Sequence, residues 1–96
     1  VRRGNRETRT IPEISRFYGI VVRMFYNDHA PPHFHAVYGE HELIVGVSPI
    51  AVLAGAAPAR VRSMVLEWAA LHQGELLDDW ERCRQGAAPR PIEPLE

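Results

Sequence analysis

Residues 17–47 alternate in character with a period of two, and from Pro58 to Gly86 the apolar positions recur at helical spacing. In the first stretch Tyr18, Ile20, Val22, Met24 and Tyr26 share one apolar face, while Phe17, Gly19, Val21, Arg23 and Phe25 share a mixed one. This predicts a single strand over residues 17–26. Asn27-Asp28 and the pair Pro31-Pro32 supply turn chemistry. A second strand follows over residues 33–38, with His33, His35 and Val37 on one side and Phe34, Ala36 and Tyr38 on the other. Gly39-Glu40 reads as a hairpin turn into a third strand over residues 41–47, which has His41, Leu43, Val45 and Val47 on one face and Glu42 and Ile44 on the other. Ser48-Pro49 ends it, leaving residues 50–53 as a short fourth strand before Gly55.

In the helical stretch, Pro58 suits a first turn because it has no N–H to leave unpaired. Val61, Met64, Val65, Trp68, Leu71 and His72 form an apolar stripe, which Leu76, Leu77, Trp80 and Cys83 continue. Gly74 is the expected point of weakness between one helix and two, and Gly86 the expected stop. Glu67, Glu75, Asp78, Asp79, Glu81, Arg82 and Arg84 are assigned to the solvent side. The fold class is α+β, a small three- to four-stranded, mainly antiparallel sheet packed against one or two C-terminal helices. Residues 1–13 read as a flexible Arg-rich arm, residues 14–86 as a single domain, and residues 87–96, with Pro89, Pro91 and Pro94, as an extended tail that Ile92 and Leu95 pin to the body or to a partner. An uncovered second sheet face bearing Phe17, Val21 and Phe25 would suit a homodimer or a partner protein.

Charge and cysteine content narrow the class. The 96 residues carry a net charge of −1, which argues against a general nucleic-acid coat. The first ten residues hold Arg2, Arg3, Arg6 and Arg9 against Glu7, so the remainder is acidic. Cys83 is the only cysteine, so neither a disulfide framework nor a Cys-rich zinc motif is available. No apolar run approaches the ~20 residues of a membrane span, and the first residues are charged rather than apolar, which gives a cytoplasmic expectation.

The chemistry concentrates in N-D-H-A-P-P-H-F-H-A-V-Y-G at residues 27–39, where His29, His33 and His35 fall within seven positions. Imidazoles two apart on a strand have Cβ atoms roughly 6.5–7 Å apart, within reach of a shared proton, anion or metal ion. Three readings follow. In the first, His29, His33 and His35 bind zinc or another divalent metal, with Asp28 or the helical His72 as a further ligand. In the second, His33, His35 and His29 carry out metal-independent acid–base cleavage of RNA while Arg16 or Arg23 steadies the phosphate. In the third, the imidazoles serve structurally within a protein-interaction module.

I-S-R-F-Y-G-I-V-V-R-M at residues 14–24, H-A-P-P-H-F-H-A at 29–36 and L-E-W-A-A-L-H-Q-G-E-L at 66–76 together resemble a bacterial family of small proteins, the domain-of-unknown-function family numbered 4160. The resemblance continues in D-W-E at 79–81 and I-E-P-L at 92–95. The family's H-x-x-P-H-x-H-A pattern is met at His29, Pro32, His33, His35 and Ala36. Where relatives carry a charged residue after the helical histidine, this chain has Gln73-Gly74, which places a weak point in the helix. Members usually start near Pro12, so the resemblance leaves the Arg-rich segment as either an upstream extension or an added remnant. It also implies a partner, a second small protein encoded by a neighbouring gene in a toxin–antitoxin-like pair. On this basis the leading expectation is an interaction module with the histidine cluster as its functional surface.

Overall fold

The period-two pattern becomes an up-and-down antiparallel sheet whose strands lie in chain order. The computed structural model describes residues 11–96. The strands are β1 (Glu13–Phe17), β2 (Ile20–Arg23), β3 (His33–Tyr38), β4 (His41–Val47) and β5 (Ile50–Ala56). Two helices follow, α1 (Ala59–Leu71) and α2 (Gln73–Arg84), and then a segment without regular secondary structure. The α+β class, the antiparallel sheet and the C-terminal helices match the sequence expectation.

The strand count does not, because the sheet has five strands rather than three or four. The stretch expected as one strand over residues 17–26 is divided by a two-residue hairpin. Phe17 pairs with Ile20, and the loop residues Tyr18 and Gly19 both have positive φ, 51° and 81°. Such a loop is normally signalled by Asn-Gly or Asp-Gly, and a tyrosine in the left-handed region gives no such signal. The reversal also moves Phe17 off the expected second face into the core, where its ring lies 5.5 Å from that of Trp68. Residues 1–10 of the expected arm lie outside the described residues. Glu13 already belongs to β1, and Ile14 is buried. The expected fourth strand, residues 50–53, runs on to Ala56 as β5.

Register sets the two faces. Val22 on β2, Ala36 on β3 and Leu43 on β4 are aligned and buried. Arg23, His35 and Ile44 are aligned on the opposite face. Helices α1 and α2 supply Val61, Val65, Trp68, Leu76, Trp80 and Cys83 to the same core. Leu71 departs from the expected stripe and is 66% exposed. It is the last residue of α1, which breaks at His72 rather than at Gly74. The Gln73 side chain marks this break by donating to the Val47 carbonyl at 2.7 Å, which ties the helix junction to the end of β4. Gly86, with φ 81°, ends α2 as expected; the amides of Gly86 and Ala87 return to the carbonyls of Cys83 and Arg82.

The C-terminal segment returns to the sheet, the first of the two destinations expected for Ile92. Ile92 is buried, and its amide donates to the Ile14 carbonyl at 2.7 Å. The Arg90 amide donates to Asp79 Oδ1 at 2.8 Å. Asp79, assigned to the solvent side from the helical period, is therefore only 1% exposed. Its covering is long-range in sequence, so local periodicity could not reveal it.

Two outcomes are expected. Gly55 has φ +88°, and an added Cβ would lie 2.0 Å from the Glu42 carbonyl oxygen. Gly55→Ala should therefore cost at least about 2 kcal/mol in urea unfolding, against the small gain seen where alanine fits. Burial chiefly pushes the Asp79 carboxyl above its ordinary value, with Asp78 and Glu75 adding to the effect against the Arg90 amide and Arg82. A carboxyl raised on folding favours the fold most at pH below its unfolded value of ~3.9, and that contribution is lost as pH rises through the folded value. The stability of Asp79→Asn relative to the parent should accordingly improve from about pH 4 to pH 7, read by thermal unfolding at each pH.

Candidate metal centre

The site is built where the β2–β3 connection meets the start of β3. The loop is fastened at several points: the Asn27 amide donates to the Cys83 carbonyl of α2 at 3.1 Å, and the Val47 amide donates to Pro32 O at 3.1 Å. Asn27 itself takes positive φ, 54°, a conformation its short amide side chain tolerates. From this loop Asp28 projects toward the two β3 histidines. One donor atom from each of Asp28, His33 and His35 lies within 4.8 Å of the others, the one such group among the described residues.

The hydrogen bonds place a proton on Nδ1 of each ring. His33 Nδ1 lies 2.7 Å from the Pro31 carbonyl, which only accepts, so Nδ1 carries the proton. His33 Nε2 lies 2.9 Å from Asp28 Oδ2, a second acceptor. A ring facing acceptors at both nitrogens is either an imidazolium or shares a cation with the carboxylate. His35 Nδ1 donates to Glu42 Oε2 at 2.8 Å, leaving Nε2 without a proton in the neutral ring. That Nε2 is buried, has no hydrogen-bond partner and lies 3.9 Å from Asp28 Oδ2. An orphaned buried ring nitrogen costs on the order of 1–3 kcal/mol, and a bound ion would remove that cost. Both histidines thus have Nδ1 held by an outer acceptor and Nε2 turned toward one carboxylate, the arrangement by which proteins orient imidazole ligands.

Apolar surroundings hold the rings in place. His33 packs 5.1 Å from the Trp80 ring and 5.4 Å from the His35 ring, and His35 lies 4.4 Å from Phe25. Partial burial acts to raise the Asp28 carboxyl, but the His29 amide hydrogen bond and the His33 and His29 imidazoles outweigh it, leaving the group below its ordinary value. A carboxylate kept ionised in a partly buried niche suits a cation.

The other sequence candidates take different places. The His29 side chain is 90% exposed; its Nδ1 lies 3.1 Å from Asp28 Oδ1, on the outer side of the carboxylate. His72 bonds to Glu75 Oε1 and packs on Trp68, outside the group. Arg16 is paired with Glu13, and Arg23 donates to the Ile11 carbonyl, so the bonds of both guanidinium groups go elsewhere than to the imidazoles. Asp28, one of two alternatives for an extra ligand, is the residue on which both rings converge. Glu42 had been given no role, although a signal existed: a two-residue turn at Gly39-Glu40 puts Glu42 opposite Val37, on the face that carries His35.

Fold and site together define a small α+β domain with a carboxylate–bis-histidine cluster at one end of its sheet. The sequence profile described as Domain of unknown function (DUF4160) matches residues 19–81, more than half of the chain, and the protein belongs to that family. No curated protein and no solved structure matches it. Among the described residues, no helix is long and apolar enough to cross a membrane.

The site geometry yields one direct expectation. Nitrogen-15 NMR on metal-free protein near pH 8 should find His35 as the Nδ1–H tautomer. Glu42→Gln, whose amide can turn either way, should relax it toward a mixture. A parent His35 already in the Nε2–H form would refute the assignment.

Proposed function

We propose that this protein is a divalent-metal-binding domain, with Asp28, His33 and His35 as the protein ligands and zinc the best-suited ion. The observation that carries this reading is the buried, unpartnered His35 Nε2, turned toward the carboxylate that also meets His33 Nε2. Two imidazoles and one carboxylate are a ligand set of borderline softness, suited to zinc and its first-row neighbours rather than to calcium or magnesium. Three protein ligands leave a position for water or a further ligand; the exposed His29 ring lies by the other carboxylate oxygen of Asp28, Oδ1. Glu42 and the Pro31 carbonyl act as the outer shell, holding the His35 and His33 rings.

A second reading, half of a two-gene, toxin–antitoxin-like pair that docks a small neighbouring protein, draws on β5. This edge strand contains no charged residue, and Leu53 within it is 51% exposed. An uncharged sheet edge is a ready surface for strand addition. The two readings are compatible, because none of Asp28, His33, His35 and Glu42 belongs to β5. The third reading, acid–base cleavage of RNA by the same histidines, draws less support from the geometry, since Arg16 and Arg23 make their bonds elsewhere.

The test is calorimetric zinc titration of untagged, metal-stripped protein, paired with thermal unfolding. One zinc should bind per chain, and at about 100-fold excess over Kd it should add about 2.7 kcal/mol of stability. His33→Ala and His35→Ala should abolish binding, Glu42→Gln should weaken it about 10- to 100-fold, and His29→Ala should weaken it only a few-fold. Folded protein that takes up no zinc, or binding that survives loss of both β3 histidines, would remove the proposal.

A further inference from the structure

The cluster of Asp28, His33 and His35 has a metal-ligating side chain next to it that it does not use. His29 follows Asp28 directly, yet its nitrogens fall outside the group that the other three form. Its Nδ1 lies 3.1 Å from Asp28 Oδ1, whereas Oδ2 is the oxygen that meets His33 and His35. Asp28 Oδ1 also accepts the His29 amide at 2.8 Å, which keeps that oxygen on the His29 side. With Nδ1 donating to the carboxylate, the neutral His29 ring keeps its lone pair at Nε2. The side chain is 90% exposed, so that lone pair is open to an outside ion. The sheet face beside the cluster is open as well. The helices join the core through the face of Val22, Ala36 and Leu43. On the His35 face Val21, Phe25, Val37 and Ile44 are all part-exposed. Leu53, 51% exposed, lies over Gly46, the residue paired with His33.

We propose that zinc joins two copies of this chain through that face, the His29 of each copy acting as fourth ligand to the zinc held by Asp28, His33 and His35 of the other. The inference rests on the metal reading above. A structural zinc is closed by four protein ligands. This chain brings three to one point and leaves a fourth of the right chemistry in solvent, one residue away. Within one copy His29 sits by the carboxylate oxygen that faces away from the two rings, so it serves a second copy more readily than its own. A two-fold completes both centres at once, because each copy offers the same three ligands and the same donor. A neighbouring protein would have to bring a ligand of its own, whereas a second copy already carries one. Val21, Phe25, Val37, Ile44 and Leu53 supply apolar surface to such a pair. Four of these five are already part-buried, so the area left falls short of what holds a stable dimer without help, and pairing depends on the metal.

The experiment is analytical ultracentrifugation of the full, untagged chain, with bound zinc measured on the same samples. In EDTA the chain should sediment as a monomer, and one equivalent of zinc per chain should double its mass. His29→Ala should still take up one zinc per chain but self-associate at least about ten-fold more weakly, the lower bound for losing even a ligand's outer partner. A mixture of His29→Ala with His35→Ala separates the two copies' roles. Neither variant should pair alone in zinc, yet together they should form a mixed dimer holding one zinc, three ligands from one copy and His29 from the other. Circular dichroism checks that both are folded, and Asp28→Asn replaces His35→Ala if the latter is not. Zinc bound by a parent chain that stays monomeric would overturn the proposal and leave the metal reading standing. Zinc-dependent dimers that His29→Ala does not weaken, or folded variants that form no mixed dimer, would overturn it in the same way. A parent chain that takes up no zinc would remove both.

Discussion

The Trp68 side chain is the contact on which the remainder of the molecule depends. It is fully buried, meets Phe17 of β1 and Phe34 of β3, and packs against His72 at the break between the helices. Its indole N–H donates to the Glu93 carbonyl at 2.8 Å, so one residue joins sheet, helix junction and C-terminal segment. Tryptophan suits this position because it supplies a large apolar surface together with a single donor that the tail satisfies. Phe34 alternates with His33 and His35 along β3, so the ring that anchors the core also sets the orientation of the site.

The candidate metal centre follows from that constraint. With Phe34 inward, His33 and His35 must turn to the other face, and the fastened loop carries Asp28 to meet them. Rigidity is local and identifiable: Pro31 O and Glu42 hold the two Nδ1 atoms, and Trp80 and Phe25 flank the rings. The site lies at the margin of a regular sheet, where the scaffold is stiff and one connection is free to carry chemistry.

Much of this was legible in the chain because it rests on short-range physics. Alternation placed Val22, Ala36, Leu43 and Val45 inward, the two-residue turn at Gly39-Glu40 set the β3–β4 register, and H-x-H on a strand gave two rings on one face. What escaped was decided by contacts distant in sequence or by a residue in an unexpected conformation. Tyr18 in the left-handed region concealed a hairpin and hence a fifth strand. Asp79 read as solvated until Arg90, eleven residues on, covered it. His29 and His33 are near neighbours in sequence, yet the loop carries the His29 side chain out to solvent while Asp28 turns in. Proximity along the chain was a good guide to the presence of a cluster and a poor one to its membership.

The contacts of residues 92 and 93 bear on how the protein is made. Ile92 and Glu93 hydrogen-bond to Ile14 and Trp68, near the beginning and in the middle of the chain. A ribosome delivers those two residues well after Ile14 and Trp68, so β1 and the indole emerge before the segment that meets them. Until residues 92 and 93 have left the exit tunnel, a nascent chain keeps its indole donor unpaired and the Ile14 carbonyl without its partner.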